Sequence, residues 1–393
     1  MQNATQEQAG YPNHDPSYST TAESLLDRYS PHPSTPKRPL QPDLLRQWQQ
    51  WVEAESRQRL LACCFIYDVT QSKLHEQSRS KPHFDTSLIC IPCPDNLWDA
   101  NSASEWKLQQ FGYSVQHLDL VEHDHLQHVM SRSFFAQSLL ICNLATRLPR
   151  DDPTYPNDYL PGSIHPTVAH IGGLFPNSPL VHIFLALNYT PLHDLLAIAG
   201  DTWVFGRKVT HPSAFHAAQS KLKTWSMSLA AAAATHNACY LLRNSKALQS
   251  GPALVDQPGE PYTGGQFCIA EYWATYVSAL ICWAFGHRHS SSGTVSRNSP
   301  VSAINSSNMD IDSPQTPVDE SRLKAVNYID GMLSLSTENL LTTRLRGDTS
   351  GLIDTVKARL EIEGTGGKCM TIADAIQVLT RIKEGRRTRA RFF

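Results

Sequence analysis

The sequence predicts an all-α fold, an irregular multi-helix domain with a disordered N-terminus and a disordered internal Ser/Pro-rich linker. Three observations carry that reading. Apolar residues recur at three- and four-residue spacing through most of the middle of the chain. No alternating apolar and polar run is long enough to argue for a sheet. Residues 1–40 and 287–318, rich in Ser, Pro, Asn and Thr, show no lasting period and cannot bury enough apolar surface to offset chain entropy.

Taken in order, the first 40 residues hold one short exception, Ala22 to Tyr29, where Leu25, Leu26 and Tyr29 share a helical face. From Pro42 the pattern strengthens. Leu44, Leu45, Trp48, Trp51 and Val52 recur at helical spacing behind a Pro42-Asp43 start, and Leu60, Leu61, Cys64, Tyr67 and Leu74 predict a continuation or a closely following helix to about Ser78. The prolines around Pro92-Cys93-Pro94 predict an extended loop from His83 to Trp98. Helices are expected again over Ser104–Phe111 and Phe134–Leu148, followed by a long Pro-, Asp- and Gly-rich loop from Arg150 to Asn177.

A second block, Leu195-Leu-Ala-Ile-Ala-Gly-Asp-Thr-Trp203-Val-Phe-Gly206, leads into one predicted helix from Ser213 to about Leu248. Phe215, Leu222, Trp225 and Leu229 lie on one of its faces, and Ala230 to Ala234 favour helix and close packing. Gly251 to Gly265 breaks the pattern, and Gln266 to Phe285 forms an apolar helix ending at Gly286. After the linker, helices are expected over Ser321–Leu335, Thr355–Ile362 and Thr371–Glu384. The organisation is therefore 1–40 disordered, 41–286 helical domain, 287–318 linker and 319–393 a C-terminal helical segment with a basic tail.

Composition narrows the function classes. The chain has 393 residues, a net charge of -2, 41% hydrophobic and 18% charged residues. Near-neutrality gives the body no electrostatic footprint for a phosphate backbone. The N-terminus lacks a basic and apolar signal sequence, so the chain is expected inside the cell, with its nine cysteines reduced and mostly buried, Cys63-Cys64, Cys142, Cys239, Cys268 and Cys282 among them. Phe267 to Gly286 is long enough to cross a membrane, but Glu271 and several hydroxyl and indole groups favour a core helix.

The stretch from Trp48 to Trp106 resembles the fungal-specific transcription factor domain, the middle homology region of fungal zinc-finger and zinc-cluster regulators. Trp48, Trp51, Glu55, Arg57, Arg59, Leu60 and Asp68 fall where that family places its first two helices, and Pro92, Cys93, Pro94, Trp98, Ala100 and Trp106 fall on the loop and turn after them. The downstream blocks around Gly200-Asp-Thr-Trp203 and Ala279-Leu-Ile-Cys-Trp-Ala-Phe-Gly286 resemble fungal regulators whose reader is a pair of two-Cys, two-His fingers. The resemblance implies transcription regulation without catalysis. It also implies zinc only in a finger module, and this chain has neither a six-cysteine cluster nor paired fingers. DNA contact is therefore expected only indirectly, through a reader outside this sequence or on another chain.

Each chemical constellation has a bland competitor. Cys90-x-x-Cys93 with His117, His123, His125 and His128 assembles a zinc site on paper, but the spacing matches no finger and a packed loop is the stronger reading. Trp48, Trp51, Trp98 and Trp106 lack the basic surroundings of a base-stacking platform, so core packing is expected. Glu55, Arg57, Arg59 and Asp68 are expected to pair as Arg forks and carboxylates that fix helix angles. No HExxH pair, GxSxG elbow or dinucleotide fingerprint appears, and no catalytic or cofactor-binding residue is assigned.

The tail run with Arg381, Lys383, Arg386, Arg387, Arg389 and Arg391 reads equally as a nuclear localisation signal or as a helix end with a solvated tail. Ser299, Ser313 and Thr316 precede prolines and are candidate sites for proline-directed kinases. The expected function is regulation of RNA polymerase II transcription in the nucleus. The expected partners are other transcription regulators or a homodimer partner, with a small-molecule effector allowed and no membrane. The alternative is a free-standing helical interaction protein that dimerises with or sequesters a full-length factor.

Overall fold

A computed structural model describes residues 42–76, 86–118, 133–148, 166–200, 203–204, 207–208, 211–245, 248, 271–287, 317–364 and 370–387. The Ala22–Tyr29 helix, the Gly251–Gly265 break and nearly all of the 1–40 and 287–318 stretches lie outside these residues, as do Ser299, Ser313 and Thr316.

The described residues are mostly helical. The first apolar stretch forms one continuous helix of 33 residues, α1 (Pro42–Leu74), not two. Nothing between Arg57 and Leu60 interrupts it, because no Gly or Pro falls there and Arg59 bonds back to Glu55 one turn earlier. The described residues of the expected loop to Trp98 hold a 3-10 turn, Thr86–Leu88, and one helical turn, α2 (Asp95–Trp98). Pro94 caps α2 rather than breaking it, since the first position of a helix needs no N–H donor. Next comes α3 (Ala103–Gln109), where the Ser102 hydroxyl accepts the Glu105 N–H and the Glu105 carboxylate accepts the Asn101 N–H at 2.9 Å. This reciprocal cap resembles the capping box. Helix α4 (Phe134–Ala145) has the serine half alone, the Ser133 hydroxyl accepting the Ala136 N–H.

Two expectations need correction in the middle of the chain. The predicted loop 150–177 contains α5 (Pro166–Leu174), which buries Val168 and Ile171 at three-residue spacing behind a proline start. The predicted single helix 213–248 is two, α8 (Pro212–Trp225) and α9 (Leu229–Asn244). Ser228 ends the run, its hydroxyl oxygen accepting the Ala231 N–H in a local bond that competes with continued helix. Before them stand α6 (Pro179–Asn188) and α7 (Leu192–Ala199), and Trp203–Val204 pairs antiparallel with Arg207–Lys208 in a two-residue ladder too short to make a sheet layer.

The core is built around α10 (Glu271–Gly286), whose residues from Ala274 to Phe285 are all buried. A helix apolar on every side belongs in the interior, and α6, α7 and α9 pack around it. Four alanines of α9, Ala231, Ala232, Ala234 and Ala238, are fully buried and let neighbouring backbones approach. The C-terminal helices α11 (Pro317–Leu333), α13 (Ser350–Gly364) and α14 (Met370–Arg387) join this same core, with the short α12 (Thr337–Leu340) between them. Among the described residues no single helix is long and apolar enough to cross a membrane.

One buried arginine knits this core. Arg346 is 3% exposed, and its guanidinium donates to the carbonyl oxygens of Phe285, Ser226 and Leu341 at 2.8, 2.8 and 3.1 Å. These carbonyls sit at the C-terminal ends of α10, α8 and α12, where dipoles carry partial negative charge. The cation is thus held by helix ends, and its carbon lies 4.0 Å above the Phe285 ring. Gly286 has to be glycine here, since an added Cβ would stand 2.3 Å from the Arg346 carbonyl oxygen.

The basic tail is partly consumed by the fold. Arg381 donates to the Gly200 carbonyl at 3.0 Å, and Lys383 pairs with Asp354 at 2.7 Å. Gly200 ends α7 at φ 106°, a left-handed conformation that glycine adopts without penalty. Arg386 and Arg387 fall in the last turn of α14, while Arg389 and Arg391 lie outside the described residues.

Candidate functional site

The residues singled out by the sequence meet in one place. Helix α1 carries Trp48, Trp51, Glu55 and Arg59 on the face that turns inward, spaced by three or four residues so that a 3.6-residue helix stacks them. Opposite them runs an extended strand-like segment. The Ile91 N–H bonds to the Gln116 carbonyl at 2.7 Å and the Leu118 N–H to the Ile89 carbonyl at 2.9 Å, which pins residues 89–91 against 116–118. Pro92 and Pro94 then restrict the backbone on either side of Cys93.

Glu55 is 4% exposed and receives two bonds on one oxygen. Its Oε1 accepts from Arg59 Nε at 3.0 Å and from the Cys93 N–H at 2.9 Å. Arg59 completes the circuit by donating from Nη2 to the Cys93 carbonyl oxygen at 3.1 Å. The peptide at Cys93 is therefore clamped at both its N–H and its C=O. Trp98 covers the clamp, its ring centre 4.2 Å from the guanidinium carbon, and Phe135 of α4 lies at 5.9 Å.

The tryptophans form a small core of their own. Trp51 lies 5.7 Å from Trp106 and 6.4 Å from Trp98, both at tilted angles. Cys93, Leu97, Ala100 and Trp106 are buried, with Leu44, Trp48, Trp98 and Tyr113 packed around them. This cluster is separate from the main core, so the clamp joins a satellite unit to α1.

Two members of the polar set stand elsewhere. Arg57 points into solvent and pairs with Glu53 one turn before it, both side chains more than half exposed. Asp68 is half-buried about two and a half turns beyond Arg59. The expected fixing of an angle between two helices does not arise, since α1 is continuous. Arg59 instead fixes the angle between α1 and the loop at Cys93.

The cysteine and histidine constellation divides. Cys93 Sγ faces Arg59 at 3.6 Å, whereas Cys90 Sγ lies 3.7 Å from His117 Nδ1, which also bonds to the Ser87 carbonyl at 2.8 Å. That carbonyl only accepts, so Nδ1 carries the proton and offers no lone pair to a metal. Among the described residues no group of three His, Cys, Asp or Glu converges, and His123, His125 and His128 lie outside them. Burial, and then the charge of Glu55, push the Cys93 thiol up to about 12, so it is no nucleophile.

Sequence reasoning missed three features. The Arg346 staple gave no periodic signal, because its three carbonyl partners are far away in the sequence. Cys63 and Cys64 were expected inside and are exposed, since they sit on the face of α1 opposite Ala62, Phe65 and Val69. His182 and His236 flank Tyr240, with His182 stacked on it at 4.6 Å and His236 edge-on at 5.2 Å.

Fold and site together define a helical domain whose assembled polar groups are spent on internal fastening. Comparison with known proteins shows what its first part is similar to. Residues 12–168 match the family model of the Fungal specific transcription factor domain, a transcription factor domain and not an enzyme. The match takes in the whole clamp from Trp48 to Trp106, while the Gly200-Asp-Thr-Trp203 block lies beyond it. The chain is also similar to a nicotinate catabolism cluster-specific transcription factor of Emericella nidulans, 36% identical over 59 residues. That stretch is 15% of this chain and 7% of the relative. No solved structure matches the chain.

Proposed function

We propose that this chain regulates RNA polymerase II transcription in the nucleus, its helical domain responding to a partner or effector and tuning a DNA reader carried on a zinc-finger module or a partner chain. The family match over residues 12–168 is the observation that carries the reading. The site geometry supports it by what it lacks in chemistry: the Glu55, Arg59 and Cys93 groups bind each other and leave nothing poised for a substrate. The partners are other regulators or a second copy of this chain, and DNA is reached only through them.

Fusing the chain to a heterologous DNA-binding module upstream of a reporter tests this directly. Reporter output is expected to change at least several-fold and the fusion to accumulate in nuclei. An unchanged reporter with a nuclear, folded fusion overturns it.

A second reading, in which the domain sequesters a full-length regulator, is favoured by the exposed apolar residues on α1. Co-expression with that regulator separates the two, since sequestration lowers the regulator's own output without any fused reader.

A further inference from the structure

Three rings link α6 to α9 away from the clamp. His182 of α6 is buried and lies flat against Tyr240 of α9, ring centres 4.6 Å apart and planes 6° apart. His236, one turn before Tyr240, meets that ring edge-on at 5.2 Å. The two histidines share one tyrosine.

His182 is wired at both ring nitrogens. Nε2 meets the Pro176 carbonyl oxygen at 2.8 Å, and Nδ1 meets the Asn237 side-chain oxygen at 2.9 Å. The Asn237 amide nitrogen is itself donated to the Ala233 carbonyl at 2.9 Å, so its oxygen is the atom turned to His182. Both partners only accept, and the ring therefore donates twice and carries a positive charge. It fastens the turn between α5 and α6, residues 175–178, to α9.

His236 is half-buried beside that charge, and the titratable groups facing it are His182 and Tyr240. Burial first, and then His182, lower its pKa and hold it neutral. Of the other elements packed on α9, α10 carries one charge, Glu271, and α12 one, Glu338. Asp330 of α11 is taken by Arg243, two turns past His236, at 3.7 Å.

We infer that these three rings form an acid-sensitive latch, in which protonation of His236 sets a second cation beside His182 and frees the 175–178 turn from α9. The inference rests on the reading above that the domain answers an effector, and it names the proton as that effector. The turn yields rather than α9, because Pro176 and Asn177 are exposed whereas four buried alanines hold α9 in the core. With the turn open, His236 is hydrated and parted from His182, so the open form binds the proton more readily and acid favours opening.

Hydrogen exchange of the full chain, read by mass spectrometry, tests the latch. Three backbone bonds report on it: Phe175 N–H to the Ile171 carbonyl, Ser178 N–H to that of Phe175, and His182 N–H to that of Ser178. Rates over residues 175–182, corrected for the pH dependence of chemical exchange, are compared at about pH 7.5 and about pH 5.5, on either side of the ordinary histidine value. They are expected to rise toward acid by up to about tenfold for each unit by which the closed latch lowers the His236 pKa. Residues 280–285 of α10 are expected to stay protected. His236→Phe keeps a ring against Tyr240 that cannot charge, and is expected to abolish the pH dependence. His236→Gln serves as the second variant, circular dichroism showing which of the two folds. A flat rate in the unsubstituted chain, equal acceleration in α10, or a pH dependence that survives in a folded variant overturns the proposal. Exchange reads no transcription, so a flat rate removes the latch and leaves the regulatory reading, whereas a silent reporter fusion removes that reading and leaves the latch.

Discussion

Arg59 reaches across from α1 to Cys93 and donates to its carbonyl oxygen at 3.1 Å, while the same arginine's Nε holds the Glu55 carboxylate that accepts the Cys93 N–H. A helix and a loop more than thirty residues apart are thereby fastened through one peptide unit. Removing either side chain leaves the other's buried charge without its partner, which costs more than the bond itself contributes.

Arg59→Ala should accordingly lower stability by about 3 kcal/mol. Arg59→Lys should recover less than half of that, because an ammonium cannot reach Glu55 and the Cys93 carbonyl in the same fork. Urea denaturation of the three proteins checks both, and an Arg59→Lys midpoint equal to the parent's would show that charge alone suffices.

Arg346→Met should cost about 3 kcal/mol, since it removes the guanidinium donors from three helix-end carbonyls, those of Phe285 and Ser226 buried, while keeping much of the volume. Gly286→Ala should destabilise by about 1–3 kcal/mol through a clash with backbone that cannot rotate away. Calorimetry of each variant checks both losses, which have separate causes, since the carbonyl that Gly286→Ala meets belongs to the backbone that Arg346→Met keeps.

His236 gives a pH dependence. Burial, and then the neighbouring His182, hold its pKa below the ordinary histidine value. The unfolded chain thus takes up a proton more readily than the folded one, so the stability tied to neutral His236 is present above about pH 6.5 and is lost as pH falls through the lower folded value. Denaturation midpoints measured from pH 7.5 to 5 should fall, and His236→Phe should flatten part of that slope. A midpoint that rises toward acid would contradict the sign.

Cys63 and Cys64 should react with a maleimide under native conditions much faster than Cys239 and Cys282. The latter thiols face each other at 3.9 Å in the core, where mutual contact and burial hold the Cys239 pKa well above its usual value. Peptide mapping after a short pulse reads the order directly, and equal labelling would mean that α9 and α10 open together.

Helix existence was legible wherever apolar spacing was long and regular, as in α1, α10 and α11, because one stripe must be buried whatever it packs against. Legibility failed where local capping outweighed the pattern. Ser228 divides a run whose alanines and apolar face argue for continuity, and Pro166 starts a helix inside a stretch whose prolines and glycines argue for a loop. The clamp residues could be listed in advance from the family pattern, but not their wiring: Arg57 and Arg59 look equivalent in sequence, and two residues of helical rotation send one to solvent and the other to Glu55.

By itself, then, the sequence determined a helical domain and named the tryptophans and charges that frame it, because helical period and residue chemistry are local properties of the chain. Only the tertiary structure decided which charge is buried, that three helix ends converge on Arg346, and that the Cys63-Cys64 pair faces outward. Burial and convergence depend on where distant segments come to rest, and spacing along the chain does not encode that.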